Sequence, residues 1–166
     1  LAFRNWDISD IDKMHEINSD IKVMEFFPAI PTKEQTIEFV KRMKKQFEAN
    51  GFCYFAVDKL EDSEFIGFIG LSAPTYEADF TPCVDIGWRL KSSEWNKGFA
   101  TEGAKKCLEY ALNVLTLEHI YSIAPKINRK SEHVMVKIGM KKQYEFEHSS
   151  LINFERLKTC VLYKTE

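Results

Sequence analysis

No two of the four cysteines, Cys53, Cys83, Cys107 and Cys160, form a C-x-x-C pair, and their spacings fit no zinc site. Three of them fall within apolar stretches and read as small buried hydrophobes kept as free thiols. That state is expected of a cytoplasmic protein. The histidines His15, His119, His133 and His148 contain neither H-x-x-x-H nor H-E-x-x-H, so no metal is expected. No apolar run approaches the roughly 18 residues that a membrane-spanning helix needs, and no secretory leader pattern is visible. An excess of charge is lacking too. The 23 Lys and Arg stand against 25 Asp and Glu, a formal net charge of −2. Such a balance gives no global attraction to nucleic acid or to an anionic membrane, and neither partner is expected. There is no repeat, linker or low-complexity segment, so residues 1–166 are expected to form one domain.

What is present is a globular mixture, 45% hydrophobic and 29% charged, with enough chain to bury a core. Residues 1–6 are short, apolar and aromatic, and suit a first strand. Ser9, with Asp12 three positions on, predicts the capped start of a short helix. Thr32 and Gln35 predict the start of a second, whose apolar residues Ile37, Val40, Met43 and Phe47 recur at helical spacing, and Gly51 predicts its end. Residues 52–57 and 64–71 around a polar turn read as a hairpin, and residues 83–90 add a third strand. Gly67 and Gly70 within a strand indicate a bulge or close backbone packing. The strongest helix follows. Ala100, Ala104, Cys107, Leu108, Ala111, Leu112 and Leu115 form one continuous apolar face. With residues 119–124 as the next strand, the strand-helix-strand run predicts a right-handed crossover between parallel strands. Asn128 caps a further helix that ends at Gly139, and residues 140–147 and 157–164 are two last strands. The expected fold is α+β, with a mixed, mostly antiparallel central sheet of about six or seven strands and about four helices.

One turn carries chemistry. Trp95, Asn96, Lys97, Gly98, Phe99, Ala100 and Thr101 lie between a strand and the N-terminus of the strongest helix. The first helical turn has unpaired N–H groups and partial positive charge, a ready site for an anion. Gly98 lets the backbone approach a ligand, Ala100 stays small, Thr101 offers a hydroxyl and Lys97 adds charge. A pyrophosphate suits such a turn, although one glycine in a strand-to-helix loop does not by itself separate a site from an ordinary connection. Neither the P-loop pattern nor G-x-G-x-x-G is present. Trp88, Tyr76, Phe26 and Phe27 are aromatic residues able to wall an acceptor pocket, or to serve as core packing.

The segment Asp85, Ile86, Gly87, Trp88, Arg89, Leu90, followed by the turn 95–101 and Glu102, resembles the core motif of the GNAT superfamily of N-acetyltransferases. More narrowly it resembles the RimJ/RimL-like branch. The resemblance extends to residues 65–71, to Asn128, Arg129, Lys130 and Ser131, and to residues 136–140, and so covers nearly the whole chain. Asn96 stands where that branch often has Gly, and Trp95 takes the first position of a turn usually written (Gln/Arg)-x-x-Gly-x-(Gly/Ala).

The resemblance implies a three-layer arrangement in which strands four and five splay apart and acetyl-CoA lies in the gap, with no metal. The turn 95–101 would cradle the pyrophosphate. Arg89, Leu90 and Lys91 would run beside the pantetheine arm, and Asn128 and Ser131 would contact the cofactor from the other side. The implied reaction is direct attack of a primary amine on the thioester in a ternary complex. The acceptor is then a protein N-terminus or a small-molecule amine, and the protein a monomer or homodimer. Asp85 would be the base, with Glu77, Glu25 or water as alternatives. Ser131 would bond the departing sulfur, since no Tyr occurs between Asn128 and Gly139. Phe27, Tyr76, Glu77 and Trp88 are the candidate acceptor contacts. The competing expectation is a non-catalytic acyl-CoA sensor or interaction domain built on the same cradle.

Overall fold

The computed structural model describes residues 1–166. The elements run β1 (Ala2–Arg4), α1 (Asp10–Ser19), α2 (Lys33–Asn50), β2 (Tyr54–Asp58), β3 (Phe65–Ser72), β4 (Asp85–Leu90), α3 (Phe99–Asn113), β5 (Tyr121–Pro125), α4 (Arg129–Lys137), β6 (Lys141–Glu147) and β7 (Thr159–Lys164). The strands form one seven-stranded sheet in the order β1-β2-β3-β4-β5-β7-β6. Every neighbouring pair is antiparallel except β4 and β5, which the α3 crossover makes parallel.

The sheet buries both faces. On one, Ile66, Ile69, Leu71, Ile86 and Leu90 pack with Ala104, Cys107 and Ala111 of α3 and Met135 of α4. On the other, Ala56, Phe65 and Phe68 pack with Trp6, with Met14 and Ile17 of α1, and with Val40 and Met43 of α2. The alternation of strand side chains assigns each residue to its layer. Gly67 interrupts that alternation. Its φ is +131°, and a Cβ there would stand 2.1 Å from the Arg89 carbonyl oxygen. The register of β2 on β3 shifts at this point, between Val57 and Asp58. Both the bulge and the close approach predicted for this glycine are therefore present. Cys53, Cys107 and Cys160 are buried and Cys83 is half-buried; all four are free thiols.

Helix starts divide into one prediction met and one displaced. Thr32 and Gln35 form a complete capping box, and Gly51 closes α2 in the left-handed conformation. Ser9, in contrast, has helical backbone angles and makes no capping bond. Asp7 does that work. Its carboxylate accepts from the Ser9 N–H at 2.9 Å, while the Asp10 carboxylate accepts from the Asp7 N–H at 2.8 Å. Asp10 is drawn inward by Arg4, whose guanidinium donates to it at 2.7 and 2.8 Å and also reaches Asp58 on β2. Asp12 stays exposed and pairs with Lys33.

The feature that positions the site is the junction of β4 and β5. They share a single register pair, Asp85 opposite Tyr121. The Tyr121 N–H donates to the Val84 carbonyl at 3.0 Å, and the Ser122 hydroxyl donates to the Ile86 carbonyl at 3.1 Å. Beyond Ile86 and Ser122 the two strands diverge without a shared ladder. No helix of the chain is long and apolar enough to cross a membrane.

Candidate functional site

A cavity of about 610 Å³ lies beside the diverging end of β4, a size common for small-molecule sites. Its lining joins four segments: residues 22–27 after α1, residues 88–90 of β4, residues 94–101 leading into α3, and one face of α4 along its length. It therefore opens on both layers of the fold.

The turn before α3 is shaped by two left-handed residues, Asn96 at φ +61° and Gly98 at φ +88°. Asn tolerates this region better than most residues, which accounts for its standing where Gly would serve. A Cβ on Gly98 would meet nothing within 4 Å and so would project into open space. The first intrahelical bond of α3 runs from the Glu102 N–H to the Gly98 carbonyl at 2.9 Å. The N–H groups of Phe99, Ala100 and Thr101 thus have no intrahelical partner, and all three residues line the cavity. Trp95 anchors the turn by donating its Nε1–H to the Leu90 carbonyl at 2.9 Å.

At the facing wall Asn128 caps α4, its side-chain oxygen accepting from the Ser131 N–H at 3.2 Å. One stripe of this helix faces the cavity: Lys130, Ser131, His133, Val134 and Lys137. Lys130 places its ammonium 4.5 Å from the Trp95 ring centre, linking the two walls. Five cationic side chains line the cavity, Lys22, Arg89, Lys97, Lys130 and Lys137, against one carboxylate, Glu94. Lys97 is partly neutralised by that Glu94, 3.1 Å away. A chain of nearly balanced charge therefore concentrates positive potential here, which suits a polyanionic ligand.

Of the residues singled out from sequence, Phe27, Trp88, Arg89, Leu90, Trp95 through Thr101, Asn128 and Ser131 share this cavity. Lys91 does not. Its N–H donates to the Ile66 carbonyl at 2.9 Å and its ammonium pairs with Glu64 at 2.7 Å. Glu77 is an exposed loop residue, and Glu25 pairs with Arg156. Tyr76 packs against Phe80 and His148, away from the cavity, with its hydroxyl buried and unpartnered. Lys22, Val23, Glu94, Lys130, His133, Val134 and Lys137 were not anticipated. The α4 members repeat every three or four residues, a signal present in the sequence once one face of that helix is known to be lined.

Asp85 lies at the closed end of the gap and is not among the lining residues. Its carboxylate accepts from the Tyr54 hydroxyl at 2.7 Å. Burial pushes it up to about 7, against the opposing effect of that hydrogen bond. The Tyr54 phenol is itself held well above its usual range, first by burial and then by the neighbouring Asp85. Asp85 is thus a carboxylate poised to accept a proton near neutrality.

Residues 1–141 match the family model described as an acetyltransferase (GNAT) domain. An uncharacterized N-acetyltransferase, YnaD of Bacillus subtilis, is 30% identical over 148 residues, 89% of this chain and 82% of that protein. The crystal structure of a GNAT-family acetyltransferase from Bacillus anthracis superposes with a TM-score of 0.78 at 27% identity, covering 98% of this chain and 92% of that one. A spermidine N-acetyltransferase from Vibrio cholerae, solved with CoA and spermine, has the same fold, with a TM-score of 0.76 at 20% identity over 98% and 93% of the two chains.

Proposed function

The chain belongs to the GNAT acetyltransferase family and is an N-acetyltransferase; from that premise we propose that it binds acetyl-CoA in the cavity beside the diverging end of β4 and transfers the acetyl group directly to a primary amine. The observation that carries the reading is the union in one cavity of the free N–H groups of α3, the diverging end of β4 and the cationic stripe of α4. CoA bound to the Vibrio cholerae relative supports the same choice of cosubstrate. The free N–H groups at residues 99–101 fit a pyrophosphate. Lys130 and Lys137 supply countercharge for further phosphate, and Leu90 and Trp88 give the pantetheine arm an apolar wall. The whole of residues 1–166 acts as one catalytic unit of the RimJ/RimL-like kind.

The chemistry needs a neutral amine. A lysine-like amine near pKa 10.4 is neutral in roughly one molecule in a few thousand at pH 7. Asp85 takes the proton, with water bridging from the cavity to the closed end of the gap. The nitrogen bonds the acetyl carbon, the carbon–sulfur bond breaks, and the nitrogen's remaining extra proton passes to the departing sulfur, so that CoA leaves as the thiol while the Ser131 hydroxyl hydrogen-bonds that sulfur. Trp88 and Phe27 border the acceptor.

Calorimetry with acetyl-CoA, alongside release of free thiol in the presence of amines, tests this. Wild type binds acetyl-CoA and releases thiol only when an amine is present. Gly98→Val forces a β-branched residue into φ +88° and fills the open space above the turn. It is expected to weaken acetyl-CoA binding about 10- to 100-fold. Binding without amine-dependent thiol release would instead identify a sensor, and absence of binding would remove the reading altogether.

A further inference from the structure

We propose that the acceptor amine also carries a carboxylate, and that the guanidinium of Arg89 binds it; this rests on the acetyl-transfer reading above. Arg89 shares its face of β4 with Asp85 and Gly87, the face packed by α1 and α2. Its Nη1 donates to the Asn18 side-chain oxygen at 2.8 Å. Asn18 is buried and fixed, because its own amide donates to the Thr36 hydroxyl at 3.1 Å. The guanidinium carbon lies 4.3 Å from the Phe27 ring centre and 5.4 Å from that of Phe68.

Those contacts hold the fork in place and leave it without a counterion. Arg89 forms no ion pair within the chain, and its Nε is buried with no hydrogen-bond partner. A guanidinium has five N–H donors in one plane, matched in geometry to a carboxylate. A buried cation with an orphaned donor is costly unless a ligand completes it. Arg89 lines the cavity with Lys22, Phe26 and Phe27, so a ligand can reach it.

The acids nearby are committed elsewhere. Asp20 accepts from the Ser92 hydroxyl and the Lys22 N–H, and Glu25 is held by Arg156. A polyamine, the ligand of the Vibrio cholerae relative, would bring further positive charge against Arg89 and Lys22, where the one lining carboxylate, Glu94, is already paired with Lys97. An amino acid, or a peptide with an acidic side chain beside its N-terminus, brings the complementary charge. The α3 turn and the α4 lysines stand apart as the acetyl-CoA phosphate site, so the guanidinium is left to the acceptor.

The test uses the full chain and matched triplets of acceptor: each amino acid, its carboxamide and its decarboxylated amine, with spermidine alongside. Wild type is expected to acetylate at least one carboxylate-bearing amine with kcat/KM about 10- to 100-fold above its carboxamide. Arg89→Met removes that discrimination by raising KM for the acid alone. Arg89→Lys, which keeps the charge without the fork, restores part of it. Acetyl-CoA affinity by calorimetry stays within about 2-fold in both variants, which also establishes that they fold. If acetyl-CoA binds but no carboxylate-bearing amine outruns its neutral counterparts, or if Arg89→Met discriminates as wild type does, the proposal is overturned while the acetyltransferase reading stands. Loss of acetyl-CoA binding in wild type overturns that reading instead.

Discussion

Asp85, the proposed base, would link stability to activity through one side chain. Its carboxylate is raised from 3.8 to about 7 by burial. The folded protein therefore holds a proton on this residue that the unfolded chain has released between about pH 4 and pH 7. Its contribution is intact below pH 4 and is lost as pH rises through 7. Asp85→Asn keeps an oxygen to accept the Tyr54 hydroxyl but has no charge to bury. At pH 8 the variant is expected to be more stable than wild type by on the order of 2 kcal/mol, and equal to it at pH 4, as chemical denaturation at the two values would reveal. Its kcat/KM should fall about 100-fold or more, and the rise of wild-type activity centred near pH 7 should disappear. A variant both slower and no more stable at pH 8 would contradict the assignment of the buried charge.

Elements were legible to different degrees for identifiable reasons. The long apolar face of α3 and the Thr32 to Gln35 box are local signals, and both appear where the pattern puts them. α1 starts where the pattern puts it, but its capping bonds come from Asp7 and Asp10 rather than Ser9 and Asp12, because Asp10 is selected by Arg4 of β1, a partner that spacing alone does not reveal. The cavity face of α4 was half visible: Asn128 and Ser131 belong to a recognisable motif, whereas Lys130 and Lys137 look like solvated charge until the β4–β5 gap is in view. Those lysines make a prediction that belongs to the helix. Lys130→Gln and Lys137→Gln should each raise KM for acetyl-CoA about 3- to 10-fold with kcat nearly unchanged. The double variant should also flatten the dependence of that KM on salt, because exposed charge attraction is what salt screens. Steady-state kinetics at two ionic strengths measures both effects.

At the scale of the molecule, the turn at 95–101 was found by its position between strand and helix, and Asn96 by its place in a motif. That Arg89 would turn toward α1, and Lys91 toward Glu64, depended on the pairing of β4 with β3, which sets Leu90 opposite Gly67 and Arg89 opposite Phe68. Long-range pairing of this kind is not written in any short window of residues. It also gives the sheet an uneven construction. Residues 2–90 complete four strands before the chain crosses over, and β5, β7 and β6 form a second plate joined to the first through Asp85, Ile86, Tyr121 and Ser122. With so few bonds across the seam, the two plates should breathe against each other, exposing their backbone amides along the unpaired lengths of β4 and β5 to solvent exchange. Acetyl-CoA wedged between them would suppress that breathing. Hydrogen–deuterium exchange should slow at residues 87–90 and 122–124 when the ligand is added, while the amides of β2 and of the β6–β7 pair, each zipped within a single plate, exchange as before.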